Sequence, residues 1–326
     1  MEGFTQKSVE NFFKAIEESD KICLTGHKAP DGDCISSIFA IHRYIKSEFP
    51  EKKLTIILEG KIPYNYSTFV DYSVIEEETD ENFDLLLIFD CANVDRMGKS
   101  RSLISKCKCS ISVDHHETNS MFAELNYFDK NATATGEILY RMLKKAGKNI
   151  SKPIAEYLYI SILTDTDKFT AQCTTSDSFR MAAELTDSGI NISEISTQVY
   201  HSKPAGLVKA YVESASTINL YYDNHLAIAS ITRKMTEKNS GEINEVDGVI
   251  DLLKDIREVE IACVIKELES KVMSVSIHSK GKKNAAEIAS QFGGGGHAES
   301  GGFNLNTNID LAQNIIVDYF QNKLIN

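Results

Sequence analysis

Hydrophobic positions along this chain fall into two alternating kinds of run. Short, nearly continuous apolar stretches occur at 22–25, 54–58, 85–89 and 111–113. Between them lie segments with helical spacing, such as Ile35, Ile38, Phe39, Ile41, His42 and Ile45 within 34–47. Residues 1–20 read as an amphipathic leading helix. A further helix is predicted over 136–145 through Ile138, Leu139, Met142 and Leu143, and another from Pro153 to about Thr164, with proline in its first turn. Apolar strands alternating with helices predict an α/β domain: a mostly parallel sheet flanked by helices. After about residue 190 the pattern changes. Strands are expected at 217–220, 226–231, 259–266 and 271–277, then helices at 285–292 and 309–321. This is an α+β pattern, so the chain divides into a domain at 1–190, a linker at 191–215 and a smaller domain at 216–326.

The ends of the apolar runs carry the chemistry. His27, Asp31 and Asp33 follow the first, Asp90 ends the third, Asp114, His115 and His116 follow the fourth, and Asp165 and Asp167 follow the helix after Pro153. A group at the carboxyl end of a strand in an open α/β sheet stands where such folds build their sites. His27, Asp31 and Asp33, with Pro30 and Gly32 shaping the turn, can converge from one loop. The two oxygens of Asp90 make it a bridge between cations. His115 and His116 can face different ways, one toward metal and one toward a phosphate. Mixed carboxylate and imidazole donors suit a pair of divalent cations doing phosphoryl chemistry, with ions ~4 Å apart activating a bridging water for in-line displacement. Such a set favours Mn2+ over magnesium, which prefers oxygen and water. Each cluster alone has a plain structural reading: a turn for 30–33, a helix cap for Asp90, ordinary histidines for 115–116. Four in order on strand–helix junctions point to a metallo-phosphoesterase.

Composition narrows this further. A net charge of −12 disfavours long nucleic acid, duplex DNA included, which needs clustered Lys and Arg. A short phosphorylated ligand is still admitted, since it meets only the local field of metals and a few cations. The seven cysteines are odd in number and lack CxxC spacing, so neither a disulfide framework nor a zinc ribbon is expected; Cys34 and Cys91 read as space-filling neighbours of ligands. No apolar run approaches the roughly 20 residues of a membrane helix. The first residues lack the order of a secretory signal, so the expected location is cytoplasmic. Four glycines at 293–296 expose backbone N–H groups and admit a phosphate or a nucleobase closely. A hinge would use the same glycines, but His297 and Gly301-Gly302 favour a binding loop.

As an ordered set these motifs resemble the DHH phosphoesterases. The family pattern HxxPDGDxxxS matches His27 to Ser37, a strand-ending Asp matches Asp90, DHHxxN matches Asp114 to Asn119, and a DT motif matches Asp165-Thr166. The tract Phe292 to Phe303 is similar to the signature of the DHH-associated substrate domain, so the likeness spans about residues 20–305. It implies one metal at His27, Asp31 and Asp90 and a second at Asp33, Asp90, His115 and Asp165. His116 would meet the scissile phosphate or protonate the leaving oxygen, and Asp114 would orient a neighbouring histidine. Arg96 and Asn119 become candidates for phosphate or loop-anchoring contacts; His278, Lys280, Gly294, Gly295, Gly296 and His297 become candidates for substrate binding. Three departures stand out: His278 where family members often carry Arg, Asp167 where Gly often follows DT, and Ser36 where Gly is usual. His is only partly charged near neutral pH, so the first is not conservative at a phosphate contact.

The domain plan selects within the superfamily. With no membrane helices and no added nucleic-acid module, the chain resembles the stand-alone nano-RNase and pAp-phosphatase group. That implies release of 5′-mononucleotides from very short RNA, including linear dinucleotides such as pGpG or pApA, with pAp 3′-phosphatase activity as a companion. Closure about the linker would expel water and align the phosphate. The alternatives are a single-strand exonuclease of repair type, which acidity disfavours, and a non-catalytic nucleotide sensor, which an intact ligand set disfavours. A homodimer is the usual expectation for a soluble enzyme.

Overall fold

The computed structural model describes residues 4–239, 246, 248–296, 298–321 and 323–324. They form two compact units that divide between Ser202 and Lys203.

The first unit is built on a parallel sheet. Its strands are β1 (Lys21–Thr25), β2 (Lys53–Ile57), β3 (Ile75–Glu76), β4 (Phe83–Phe89), β5 (Cys107–Asp114) and β6 (Leu125–Phe128), in the order β3-β2-β1-β4-β5-β6. The continuous apolar run of β4 is explained by burial on both faces. Leu85, Leu87 and Phe89 join the core that holds Ile22 and Leu24, while Leu86 and Ile88 join Cys23, Ile57, Met97 and Leu103 on the other side. Its helices are α1 (Gln6–Glu17), α2 (Gly32–Glu48), α3 (Thr135–Lys145), α4 (Lys152–Asp165), α5 (Ser176–Asp187) and α6 (Ile192–Tyr200). α2 packs along α4, and both contribute to the larger core. β1 has β2 on one side and β4 on the other. The chain reverses its winding direction there, so the crevice at the carboxyl ends of β1 and β4 is the natural place for a site.

The second unit contains α7 (Ala205–Ala215), β7 (Asn219–Tyr221), β8 (Leu226–Ile231), α8 (Arg233–Lys238), α9 (Val249–Asp255), β9 (Ile261–Glu269), β10 (Val272–Ser279), α10 (Ala285–Ser290), β11 (Gly295–Gly296), β12 (Ser300–Leu305) and α11 (Ile309–Phe320). Its mixed sheet runs β11-β12-β10-β9-β8-β7, parallel only between β8 and β9. Cys263, Val275 and Ile277 pack there against Ile288 of α10 and Ile316 and Phe320 of α11. The α/β and α+β expectations hold for the two units.

Two local readings change. Residues 191–215, expected as a linker, fold largely into α6 and α7, which bury Ile195 and Val199, and Leu207 and Ala210. The glycine tract is partly a strand rather than a loop, since Gly295 and Gly296 pair with Gly302 and Gly301. All seven cysteines are free thiols. No helix among the described residues is long and apolar enough to cross a membrane.

Candidate metal centre

The sequence motifs converge at the carboxyl edge of the first sheet. His27 follows β1. Asp31 is the N-cap of α2, its side chain accepting from Cys34 N–H at 3.1 Å. Asp33, expected in the loop, lies inside the first turn of α2 and is fully buried. Asp90 directly follows β4 with φ 55°, a left-handed conformation that non-glycine residues adopt at a cost and that clusters at functional sites. Asp114 ends β5, His115 and His116 follow it, and Asp165 ends α4.

Asp90 stands at the centre. Its Oδ2 lies 3.5 Å from His27 Nε2, and Asp31 Oδ2 lies 3.7 Å from the same nitrogen. Its Oδ1 lies 3.6 Å from His115 Nε2, which also has Asp165 Oδ2 at 3.1 Å and Asp33 Oδ2 at 3.8 Å. One oxygen of Asp90 therefore faces each imidazole group. Asp33, His115 and Asp165 place donor atoms within 4.8 Å of one another, as do Asp90, His115 and His116, and His27, Cys34 and Asp90. The Cys34 thiol is pushed far up by burial and then by Asp90, so it stays protonated and donates toward the Phe89 carbonyl at 3.9 Å. It fills space. Asp31 meets His27 at 3.7 Å but forms no group of that 4.8 Å tightness with His27 and Asp90 among the described residues.

A framework of donors fixes these carboxylates. Asp33 Oδ1 accepts from Ser161 Oγ (2.6 Å), Ser37 Oγ (3.1 Å) and Gly136 N–H (3.1 Å), while Oδ2 accepts from Thr135 N–H at 2.7 Å. The last two donors are the opening residues of α3, whose end carries positive partial charge. Thr135 Oγ1 also donates to Asp90 Oδ1 at 3.1 Å. His116 Nδ1 meets Asp114 Oδ1 at 2.8 Å, and Asn119 Nδ2 donates to Asp114 Oδ2 at 2.6 Å. Asp114 thus orients the second histidine, and Asn119 anchors Asp114. Ser37 closes the first motif, but its role beneath Asp33 and the contributions of Thr135, Gly136 and Ser161 were missed by sequence reasoning. The one available signal, for Thr135 and Gly136, was a Thr-Gly pair opening a helix.

The electrostatics fit a cation-binding site. Burial, then the Asp90 and Asp165 charges, push the Asp33 carboxyl well above its ordinary range. Burial first, then Asp90 and Asp31, raise Asp165 to about 6 against the pull of His115. Burial opposes charge on His27, but Asp31 and Asp90 outweigh it and raise the ring to about 10. His115 goes up in the same way, through Asp165. Asp31 moves the other way, to about 2, because His27 outweighs its burial. Asp33, Asp165 and the imidazoles rising together mark a surplus of negative charge around buried donors, which divalent metal ions offset. His116 is also raised, burial opposing and Asp114 prevailing, while Asp114 is lowered because His116 outweighs its burial.

The remaining candidates sit elsewhere. Arg96 is exposed, and its carbonyl accepts from Lys28 N–H at 2.7 Å. Asp167 pairs with Lys168 at 3.2 Å with its side chain 59% exposed, so it faces solvent. His278, Lys280, Gly294, Gly295 and Gly296 belong to the second unit. His278 pairs with Ser300 and Ala262 across the sheet, and Lys280 Nζ donates to the Ile256 carbonyl at 2.5 Å. A Cβ on Gly294 would strike the Gly302 carbonyl oxygen and Phe303, so this glycine is required by packing. His297 lies outside the described residues.

Comparison with known proteins follows the same division. The family model described as DHH family, N-terminal domain, matches residues 21–162, and the DHHA1 domain matches residues 224–322. An uncharacterized protein of Mycoplasma genitalium is 30% identical over 303 residues, covering 90% of each chain. Proteins named bifunctional oligoribonuclease and PAP phosphatase NrnA, from Thermus thermophilus and Bacillus subtilis, are each 26% identical. They match over 314 and 308 residues, covering 94% of this chain and 89% and 95% of theirs. The crystal structure of an exopolyphosphatase-related protein from Bacteroides fragilis matches with a TM-score of 0.91 at 22% identity over 100% of both chains, a likeness of fold.

Proposed function

The chain belongs to the DHH family and is a hydrolase of its phosphoesterase kind, and from that premise we propose that it cleaves very short oligoribonucleotides to 5′-mononucleotides. Linear dinucleotides such as pGpG and pApA are the smallest substrates of this reading, and the 3′-phosphate of pAp is a second target. The names of the relatives at 26% identity support it. The observation that carries it is the geometry of Asp90, with one oxygen 3.5 Å from His27 and the other 3.6 Å from His115.

Two divalent cations, manganese foremost, are assigned to His27, Asp31 and Asp90, and to Asp33, Asp90, His115 and Asp165. When bound, such a pair activates water and stabilises charge on the attacking and leaving oxygens. The protein's own groups do the rest. Asp33 is held by four donors, so its carboxylate needs no reorganisation on binding. Asp114 fixes the His116 ring and raises its proton affinity, which suits His116 to hand a proton from Nε2 to the leaving oxygen. Arg96, exposed beside the first unit's centre, is assigned to a substrate phosphate, and a cytoplasmic homodimer belongs to the same reading.

The test uses purified protein with manganese and 5′-labelled RNAs of two to five nucleotides, set against pAp and a 30-mer. Rapid cleavage of the shortest RNAs is expected. Efficient cleavage of the 30-mer with the dinucleotide left intact would overturn the assignment.

A further inference from the structure

Three backbone segments meet at the loop that carries His27 and Asp31. Lys28 N–H donates to the Arg96 carbonyl at 2.7 Å, and Ala29 N–H donates to the Glu59 carbonyl at 2.9 Å. Ala29 holds φ 55°, a left-handed conformation that costs a residue with a Cβ, so the loop keeps this shape only while its neighbours hold it. Those two neighbours are themselves joined. The Glu59 carboxylate accepts from the Lys99 N–H. Lys99 follows Gly98, whose φ 60° and ψ −130° belong to glycine. A Cβ on Gly98 would stand where the Glu59 carboxylate lies. Gly60, with φ 101°, brings the chain close against Ala29, where a Cβ would lie 3.2 Å from its Cα. The segments follow β2, β1 and β4, which are neighbours in the sheet. One side chain thus closes a ring of three loops at adjacent strand ends.

We propose that Glu59 is a positioning residue for the metal group formed by His27, Asp31 and Asp90. It does so by tying the loop after β4 to the loop after β2, and so clamping the strained Ala29 turn between them. This rests on the metal reading of the cluster. The other group shares only Asp90 with it; Asp33, His115 and Asp165 come from α2, the end of β5 and α4, and Asp33 has its own anchors at Thr135, Gly136 and Ser161.

The prediction is therefore asymmetric. Residues that orient metal ligands change affinity about 10- to 100-fold when removed. Calorimetric titration of the full chain with manganese alone should show two binding events in the parent. In E59A one event should weaken by about that factor while the other, which shares only Asp90 with it, weakens far less. E59Q, which retains an acceptor at the same reach, should restore most of the loss. E59D keeps the charge but falls a methylene short, so it should behave like E59A and carries the test if E59A does not fold. G98A should weaken the same event. Parental affinities for both ions in folded E59A or E59D, or equal weakening of both, would overturn the clamp. A parent that takes up no manganese would instead remove the metal reading beneath it.

Discussion

Replacing Ser161 with alanine removes one hydroxyl from the buried floor beneath Asp33. Ser161 Oγ donates to Asp33 Oδ1 at 2.6 Å and accepts from Gly136 N–H at 3.1 Å, and both Ser161 and Asp33 are fully buried. A hydrogen bond to a charged group contributes about 1.5–3 kcal/mol. Gly136 N–H and Ser37 Oγ remain on the same oxygen, each at 3.1 Å, so the loss falls in the lower part of that range, about 1.5–2 kcal/mol. At about 1.4 kcal/mol per factor of ten this is about 10- to 30-fold in metal affinity. The Asp33 carboxyl already sits well above its ordinary range through burial and the Asp90 and Asp165 charges. Losing a donor raises it further, so an incoming cation has to displace a proton more often as pH falls. Manganese titration of S161A at pH 8 and at pH 6.5 should show the weakening, larger at the lower pH. Unchanged affinity at both pH values in a folded variant would refute the idea that this floor tunes the centre.

Other perturbations probe neighbouring parts. N119A frees Asp114 Oδ2 from its 2.6 Å anchor and loosens His116; kcat should fall with KM nearly unchanged, and a rise in KM alone would count against a role in proton transfer. His42 is buried, its ring nitrogens lack hydrogen-bond partners among the described residues, and burial first, then Arg43 and Lys46, lower its pKa to about 4. The unfolded chain takes up this proton at an ordinary pKa of about 6.5, so stability is lost as pH falls from there toward 4, by up to about 3 kcal/mol. H42L should lack that part of the acid sensitivity in urea unfolding at pH 7.5 and pH 5, and an identical drop in both proteins would remove His42 as its source. Manganese at a hundred times its dissociation constant should add about 2.7 kcal/mol of stability that a chelator reverses; an unfolding midpoint indifferent to both would contradict a structured metal centre.

The parts of the fold that were legible in the sequence share one physical cause. β1 and β4 are buried on both faces, so their apolar runs are nearly continuous and their ends are unmistakable, while β5 shows only Ile111 and Val113 between serines before Asp114. His27, Asp90 and His115 follow directly, because each stands just past such an end, whereas Asp31 and Asp33 open α2 and Asp165 ends α4. β6 escaped notice because, as an edge strand, it buries only Tyr127 fully. α6 and α7 escaped because each buries few side chains, and Val208 and Val212 remain exposed. The supports of the centre were the least legible. Ser161 lies far along the chain from Asp33, and a serine inside a helix carries no sign of its partner. Glu59 is one acidic residue among many, and only the fold brings it to Gly98 and Lys99.

The most direct test is the rate at which D90N hydrolyses a labelled dinucleotide in the presence of manganese. Asparagine keeps the shape, tolerates the left-handed backbone of this position and still accepts from Thr135, but it loses the charged second oxygen that joins the two imidazole groups. Several kcal/mol of transition-state stabilisation depend on that bridge, so the rate should fall by about a thousandfold or more. Hydrolysis by D90N at the parental rate would contradict a centre organised around Asp90.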